Sequence, residues 1–255
     1  MPKLSTPPVT YQPPDSIGDF PIHYCPSCAQ SVIHKLIAEV IDELGIRECS
    51  IAITPAACAV YLYNYFNFDV AESAQGRAPA IATGLKRVQP NKIVFTYQSD
   101  GDLAASGLAQ TVWAATRGEN ITIFFINNAI YEFTNGHRHS INASTQFRTA
   151  SSNGHETYQA ATPIGIAELL AGLPGATYVV RRAVHNSCAV QEAKKAIYTA
   201  LQVQRAAAGF SLVEFMSSCS TNGTSAQCGS LNQPKPAPFY PLGDYKVADI
   251  VKNLN

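Results

Sequence analysis

Three groups of side chains in this 255-residue chain have the types and spacing to do chemistry. The first is Cys25-Pro26-Ser27-Cys28. A two-residue gap lets one turn aim both thiolates at a single point, which suits zinc, an iron–sulfur cluster or a redox dithiol. As a metal site the pair needs two more ligands, and Cys49, Cys58, Cys188, Cys219 and Cys228 are available. The second group is Asp100-Gly101-Asp102 and the third is Asn127-Asn128. Together they offer a carboxylate, a side-chain carbonyl and a backbone carbonyl in the turn after Asn128. Oxygen ligands of this kind suit Mg²⁺, which keeps part of its water and is usually completed by phosphate oxygens. Gly101 permits close backbone approach, and a helix starting there would attract anions. Alone, Asp-Gly-Asp also fits an ordinary helix cap at a strand–turn–helix junction.

The elements around these groups must bring them together. Val32, Ile33, Leu36, Ile37, Val40, Ile41 and Leu44 recur at helical spacing, and Gly45 follows as a stop. Ile51 to Ile53, Ile93 to Tyr97, Ile121 to Ile126, Thr177 to Val184 and Phe210 to Phe215 are strand candidates. The Ile121 run is continuously apolar, as expected of a strand buried on both faces. Helices are expected over 70–86, 103–117, 164–172 and 189–207, with Leu108, Val112 and Ala115 on one face of the second. Alternating strands and helices predict an α/β fold, a doubly wound, mainly parallel sheet with helices on both faces. Ligands of such sheets bind beyond the carboxyl ends of the strands, and both oxygen motifs directly follow strand candidates.

The remaining sequence narrows the function classes. Eighteen Lys+Arg balance eighteen Asp+Glu, so nothing electrostatic points to nucleic acid or an anionic membrane. Charged residues make up 14% of the chain, against about 25% in typical domains. That sparse charge suggests surface covered by a partner. No apolar run approaches the about 20 residues that span a bilayer, and the first residues carry no leader, so a cytoplasmic location is expected. Pro-rich residues 1–22 read as an extended arm, 23–221 as the domain, and the Gly-, Ser-, Asn- and Pro-rich segment 222–255 as extended. Tyr61, Tyr63, Tyr65, Phe66 and Phe68 are expected in a core or subunit contact, and His185 in a structural role.

The pairing of Asp100-Gly101 with Asn127-Asn128 resembles the thiamine diphosphate motif. In that family the metal is held by positions matching Asp100, Asn128 and the backbone carbonyl of Ile130, with Gly101 and Asp102 in the cofactor-binding turn. Ser99 stands where the family has glycine. With Tyr24 to Cys28, Gly76 to Gly84, Thr96 to Leu103, Arg117 to Thr122, Asn127 to Tyr131, Ala167 to Leu170, Val184 to Asn186 and Ser217 to Asn222, the chain resembles the beta, thiamine diphosphate-binding subunit of 2-oxoacid:ferredoxin oxidoreductases. The resemblance implies the thiamine diphosphate-binding fold and a [4Fe–4S] cluster on Cys25, Cys28, Cys58 and Cys219. Zinc is the rival metal there. Cys49, Cys188 and Cys228 are then spectators, packing as small apolar side chains. It implies oxidative decarboxylation of a 2-oxo acid, with electrons passing to ferredoxin and the acyl group to coenzyme A. The glutamate that activates the cofactor is expected on a partner alpha subunit, with gamma and delta subunits as further partners, so no catalytic residue is assigned here.

Several positions depart from the family pattern: Ala29-Gln30-Ser31 after the cysteine pair, Gln75 before Gly76, and Glu132, Asn135 and His137 after the asparagines. Glu132 and His137 are the pocket candidates. Their location suggests an atypical substrate or acyl acceptor. Competing expectations are a non-redox thiamine-dependent decarboxylase and a non-catalytic electron-transfer or scaffold subunit.

Overall fold

The computed structural model describes residues 12–21, 23–24, 28–128, 147–151, 154–158, 164–217 and 240–254. Its centre is a seven-stranded sheet. The strands are β1 (Ser50–Thr54), β2 (Asp69–Glu72), β3 (Ile93–Ser99), β4 (Thr122–Asn127), β7 (Ala176–Ala183), β8 (Phe210–Met216) and β9 (Gly243–Val247). Between β4 and β7 in the chain, β5 (Phe147–Ser151) and β6 (Gly154–Tyr158) form a separate antiparallel pair. The order across the large sheet is β2-β1-β3-β4-β8-β7-β9. All its neighbours are parallel except β9, which runs antiparallel to β7. The helices are α1 (Ala29–Glu43), α2 (Leu62–Tyr65), α3 (Ala78–Val88), α4 (Leu108–Arg117), α5 (Ile166–Ala171), α6 (Ser187–Arg205) and α7 (Asp249–Lys252).

The period-2 geometry of the strands divides their apolar residues between two cores. Phe95, Tyr97, Phe124, Ile126, Val213 and Phe215 face one layer, packed by α1 and α6 through Ile33, Ile37, Ile41, Ile197 and Leu201. Val94, Ile123, Phe125, Val179 and Leu212 face the other, packed by α3, α4 and α5 through Ala82, Ala114, Ala115 and Leu170. The doubly wound α/β sheet expected from the sequence is thus what the chain forms. Gly45 stops α1 in the left-handed region at φ +59°, as its position predicted. Asn186 caps α6 by accepting from the Ala189 amide at 2.8 Å.

Two expected elements are corrected. The helix expected over 70–86 begins only at Ala78, because Asp69–Glu72 pairs with β1 as the edge strand β2. The helix expected over 103–117 is two elements, a π-helical turn over Gly101–Ser106 and then α4. In the segment from 222 onward, Gly243–Val247 is extended but paired into the sheet, and Asp249–Lys252 forms a short helix. At the other end of the chain, Ile17 bridges Phe66, and the Ser16 amide donates to Asp42 of α1 at 3.2 Å.

Candidate cofactor and metal centre

Because β1, β3, β4 and β8 are parallel, their carboxyl ends lie along one edge of the sheet. That edge collects most of the predicted chemistry. Asp100 is the first residue beyond β3 and is 1% exposed. Asn128 is the first residue beyond β4 and is 7% exposed. The register pairs Ser99 with Ile126 on adjacent strands, so both side chains leave the sheet at neighbouring points. A carboxylate and an amide carbonyl from adjacent strand ends form a hard-oxygen donor set of the kind Mg²⁺ takes. The residues present therefore fit a diphosphate-bound Mg²⁺.

The turn after Asp100 is held from below. Asp102 accepts from the Gly76 amide and from Gln98 Nε2, and Gln98 Oε1 in turn accepts from Thr96 Oγ1 at 2.8 Å. Burial pushes the Asp102 carboxyl up, while these two hydrogen bonds pull it back part of the way. Gln75 Nε2 reaches the Gly101 carbonyl at 3.5 Å. The contact between the two loops is backbone on backbone. A Cβ at Gly76, where φ is +74°, would sit 2.6 Å from Ser106 C and O, and one at Gly107 would sit 2.7 Å from the Asp102 carbonyl oxygen. Only glycine allows this approach. The π-helical turn itself is a device found mostly at functional sites. Asp102 thus ties its turn to the Gly76 loop with one oxygen and to Gln98 of β3 with the other, while Asp100 stands at the strand end.

A second cluster lies at the carboxyl end of β1. Cys58 sits in the 3₁₀ turn Ala57–Tyr61, which Thr54 Oγ1 anchors through the Ala59 carbonyl. Tyr24 joins this turn to the region of the cysteine pair. Its hydroxyl donates to the Cys58 carbonyl at 3.3 Å and lies 3.3 Å from His34 Nε2. Burial first, then the nearby Tyr97, Tyr65, Cys28 and Cys58, pushes the Tyr24 hydroxyl far up, so it stays protonated. Burial pushes the His34 imidazole down to about 3, which keeps it neutral. His34 is enclosed by the rings of Tyr24, Tyr65, Phe66 and Tyr97. Two of the five predicted aromatics, Tyr65 and Phe66, are therefore part of the wall around this histidine, while Tyr63 is 50% exposed.

The cysteines separate by position. Cys28 immediately precedes α1, and its carbonyl accepts from Ser31 Oγ at 2.9 Å. Cys28 and Cys58 both lie beside Tyr24. Cys49 sits at the opposite end of β1, about 17 Å away at about 3.3 Å per strand residue. Cys188 is exposed in the first turn of α6. Cys25, Cys219, Cys228, Ile130, Glu132, Asn135 and His137 lie outside the described residues. Among the described residues no three His, Cys, Asp or Glu side chains converge as a metal site, and two of the four expected cluster thiols are not among them. Ser217, the last described residue before Cys219, directly follows β8 at this same sheet edge.

One group of residues went unpredicted. Arg181 of β7 and Glu214 of β8 are both fully buried and paired in register. Arg181 Nε donates to Glu214 at 2.9 Å, and its two terminal nitrogens donate to Glu168 at 2.8 and 2.6 Å. The other Glu214 oxygen accepts from Asn127 Nδ2 at 2.6 Å. Charges inside largely apolar strands, Val179-Val180-Arg181-Arg182 and Leu212-Val213-Glu214, are the sequence signal that could have found them.

Comparisons with known proteins follow the same lines. Residues 56–215 match the family model described as thiamine pyrophosphate enzyme, C-terminal TPP binding domain. Over 200 residues the chain is 40% identical to the ketoisovalerate oxidoreductase subunit VorA of Methanothermobacter marburgensis, covering 78% of this chain and 42% of the relative. It is 30% identical over 204 residues to the 2-oxoglutarate synthase subunit KorB of Methanocaldococcus jannaschii, covering 78% of this chain and 69% of the relative. Its fold superposes on 2-oxoglutarate:ferredoxin oxidoreductase from Magnetococcus marinus, a structure with 2-oxoglutarate, coenzyme A and succinyl-CoA bound. That match has a TM-score of 0.73 at 20% identity and covers 96% of this chain and 89% of the other. Among the described residues no helix is long and apolar enough to cross a membrane. Matched over most of its length to such subunits, the chain belongs to the thiamine pyrophosphate enzymes, among the subunits of 2-oxoacid:ferredoxin oxidoreductases.

Proposed function

We propose that this chain is the thiamine diphosphate-binding subunit of an oxidoreductase that decarboxylates a 2-oxo acid and passes electrons to ferredoxin. The observation that carries this is the placement of Asp100 and Asn128, both buried, at the carboxyl ends of adjacent parallel strands. Asp100, Asn128 and the backbone carbonyl of Ile130 would hold Mg²⁺ and, through it, the diphosphate. When bound, thiamine diphosphate supplies an electron sink for loss of carbon dioxide. The chain's own residues orient that cofactor and keep water from it. The turn after Asp100 is rigid because Asp102, Gly76 and Gly107 lock it.

Cys25, Cys28, Cys58 and Cys219 would hold a [4Fe–4S] cluster. Support for this comes from Tyr24, whose hydroxyl donates to the Cys58 carbonyl at 3.3 Å and is pushed up in part by Cys28 and Cys58, and from the place of Cys219 in the sequence shortly after β8. The reaction balances with carbon dioxide leaving, the acyl group passing to the coenzyme A thiol with release of its proton, and two electrons going singly to oxidised ferredoxin. The activating glutamate comes from a partner alpha subunit. Ketoisovalerate and 2-oxoglutarate, named in the relatives, are the first substrates to try. The departures at Ala29-Gln30-Ser31, Gln75, Glu132, Asn135 and His137 make a different 2-oxo acid or acceptor the favoured outcome of that trial.

The test uses the chain purified without oxygen together with its partner subunits. The expected results are bound thiamine diphosphate, iron and acid-labile sulfide, and ferredoxin reduction that depends on a 2-oxo acid. Cys58→Ser is expected to lower iron and sulfide while leaving thiamine diphosphate in place. Thiamine diphosphate without iron would favour a non-redox decarboxylase. Iron without thiamine diphosphate would favour an electron-transfer scaffold.

A further inference from the structure

Charged residues are rarely placed where Arg181 and Glu214 are, and neither touches the expected metal. Both are fully buried in central strands. Burying ions this way costs free energy unless geometry and hydrogen bonds are nearly complete, and apolar replacements are often as stable. Here the geometry is complete. Arg181 is held by Glu214, by both oxygens of Glu168, by the Pro241 carbonyl at 3.2 Å and by the Tyr245 hydroxyl. The rings of Tyr240 and Tyr245 lie 5.1 and 4.7 Å from its guanidinium carbon. Five segments (α5, β7, β8, the residues at 240–241 and β9) thus fix one side chain.

The cluster is directed toward the cofactor edge. Glu214 uses its second oxygen for Asn127 Nδ2 at 2.6 Å, and the Asn127 carbonyl accepts from the Ser217 amide at 2.9 Å. The last residue of β4 is therefore clamped to β8 through both its side chain and its backbone. The next residue is Asn128.

We propose that the Arg181–Glu214 pair is a positioning device that fixes Asn127 and thereby sets where Asn128 meets the metal. This rests on the assignment of Asp100 and Asn128 to Mg²⁺ made above. Outer partners of metal ligands typically control affinity by about 10–100-fold. Mg²⁺ demands near-ideal octahedral geometry, whereas Ca²⁺ accepts flexible coordination, so a displaced Asn128 should harm Mg²⁺ more than Ca²⁺.

The experiment titrates thiamine diphosphate binding to the complex, with Mg²⁺ or Ca²⁺ as the supporting ion. Glu214→Gln and Asn127→Ser are expected to raise the half-saturating Mg²⁺ concentration by about 10–100-fold and the Ca²⁺ value by clearly less. Lys252→Gln, which breaks the exposed Lys252–Asp249 pair of α7, is expected to match wild type. Equal losses with both ions would mean a merely structural role and would overturn the proposal, as would wild-type binding in both variants. If Glu214→Gln does not fold, Asn127→Ser decides, because it leaves the Arg181–Glu214 pair intact. Wild-type protein that binds no thiamine diphosphate with either ion would instead remove the metal assignment, and this inference with it.

Discussion

Asp102 and Gly76 show how a single residue can matter without touching a ligand. The Asp102 carboxylate takes both its hydrogen bonds from neighbours that shape the turn, and Gly76 presses its backbone onto Ser106 and Gly107. Gly76→Ala would force a methyl group into Ser106 at 2.6 Å and hold an alanine at φ +74°. The left-handed conformation alone costs about 1–2 kcal/mol, and the clash adds to it. Thermal unfolding should show a loss of about 2 kcal/mol or more, accompanied by weaker thiamine diphosphate binding. Unchanged stability would mean that this loop contact is looser than described. The motif residues Asp100, Gly101, Asp102 and Asn128 were legible in the sequence because their chemistry is local. Arg181 and Glu214 were not singled out, because their meaning depends on a strand register that pairs residues far apart in the chain.

At the level of elements, strands were easiest to find where large apolar residues dominate, as in β3, β4 and β8, whose residues are almost all buried. Edge strands were hidden for the opposite reason. β2 is half-exposed and runs into an alanine-rich helix, so its residues read as part of that helix. β9, Gly-Asp-Tyr-Lys-Val, is partly exposed, short, and preceded by a Pro- and Gly-rich stretch that reads as loop. The ends of α3 and α4 are tied by Glu119, which accepts from Arg87 and from Arg117 at 2.5 and 2.7 Å. Burial pushes the Glu119 carboxyl up, but these two hydrogen bonds and the arginine charges outweigh it and hold it below the usual glutamate value of 4.5. A carboxyl depressed in the fold adds stability above its unfolded value and loses it as pH falls through the folded one. Glu119→Gln should therefore cost about 1 kcal/mol near neutral pH, and the cost should shrink as pH falls below the usual glutamate value of 4.5 and through the depressed folded one. Denaturant midpoints measured across that range check both parts; a pH-independent difference would contradict the charge account.

For the whole molecule, a charge content of 14% would suit the proposed role as one subunit of a complex. The chain spans 42% of the length of its VorA relatives, so the remaining sequence of those proteins lies outside the part compared here. Trp113 on α4 and Val88 at the end of α3 are exposed apolar side chains, at 61% and 75%. Full turnover is accordingly expected only from the complex. The central claim, that Asp100 and Asn128 hold a metal-bound diphosphate, needs no turnover to test. Equilibrium binding of thiamine diphosphate to the complex, with and without Mg²⁺, should be saturable and Mg²⁺-dependent for the wild type. For Asp100→Asn it should weaken by more than about 100-fold, beyond the usual range for an outer partner of a ligand. Binding that is equally tight in Asp100→Asn, or that does not depend on Mg²⁺, would contradict the account.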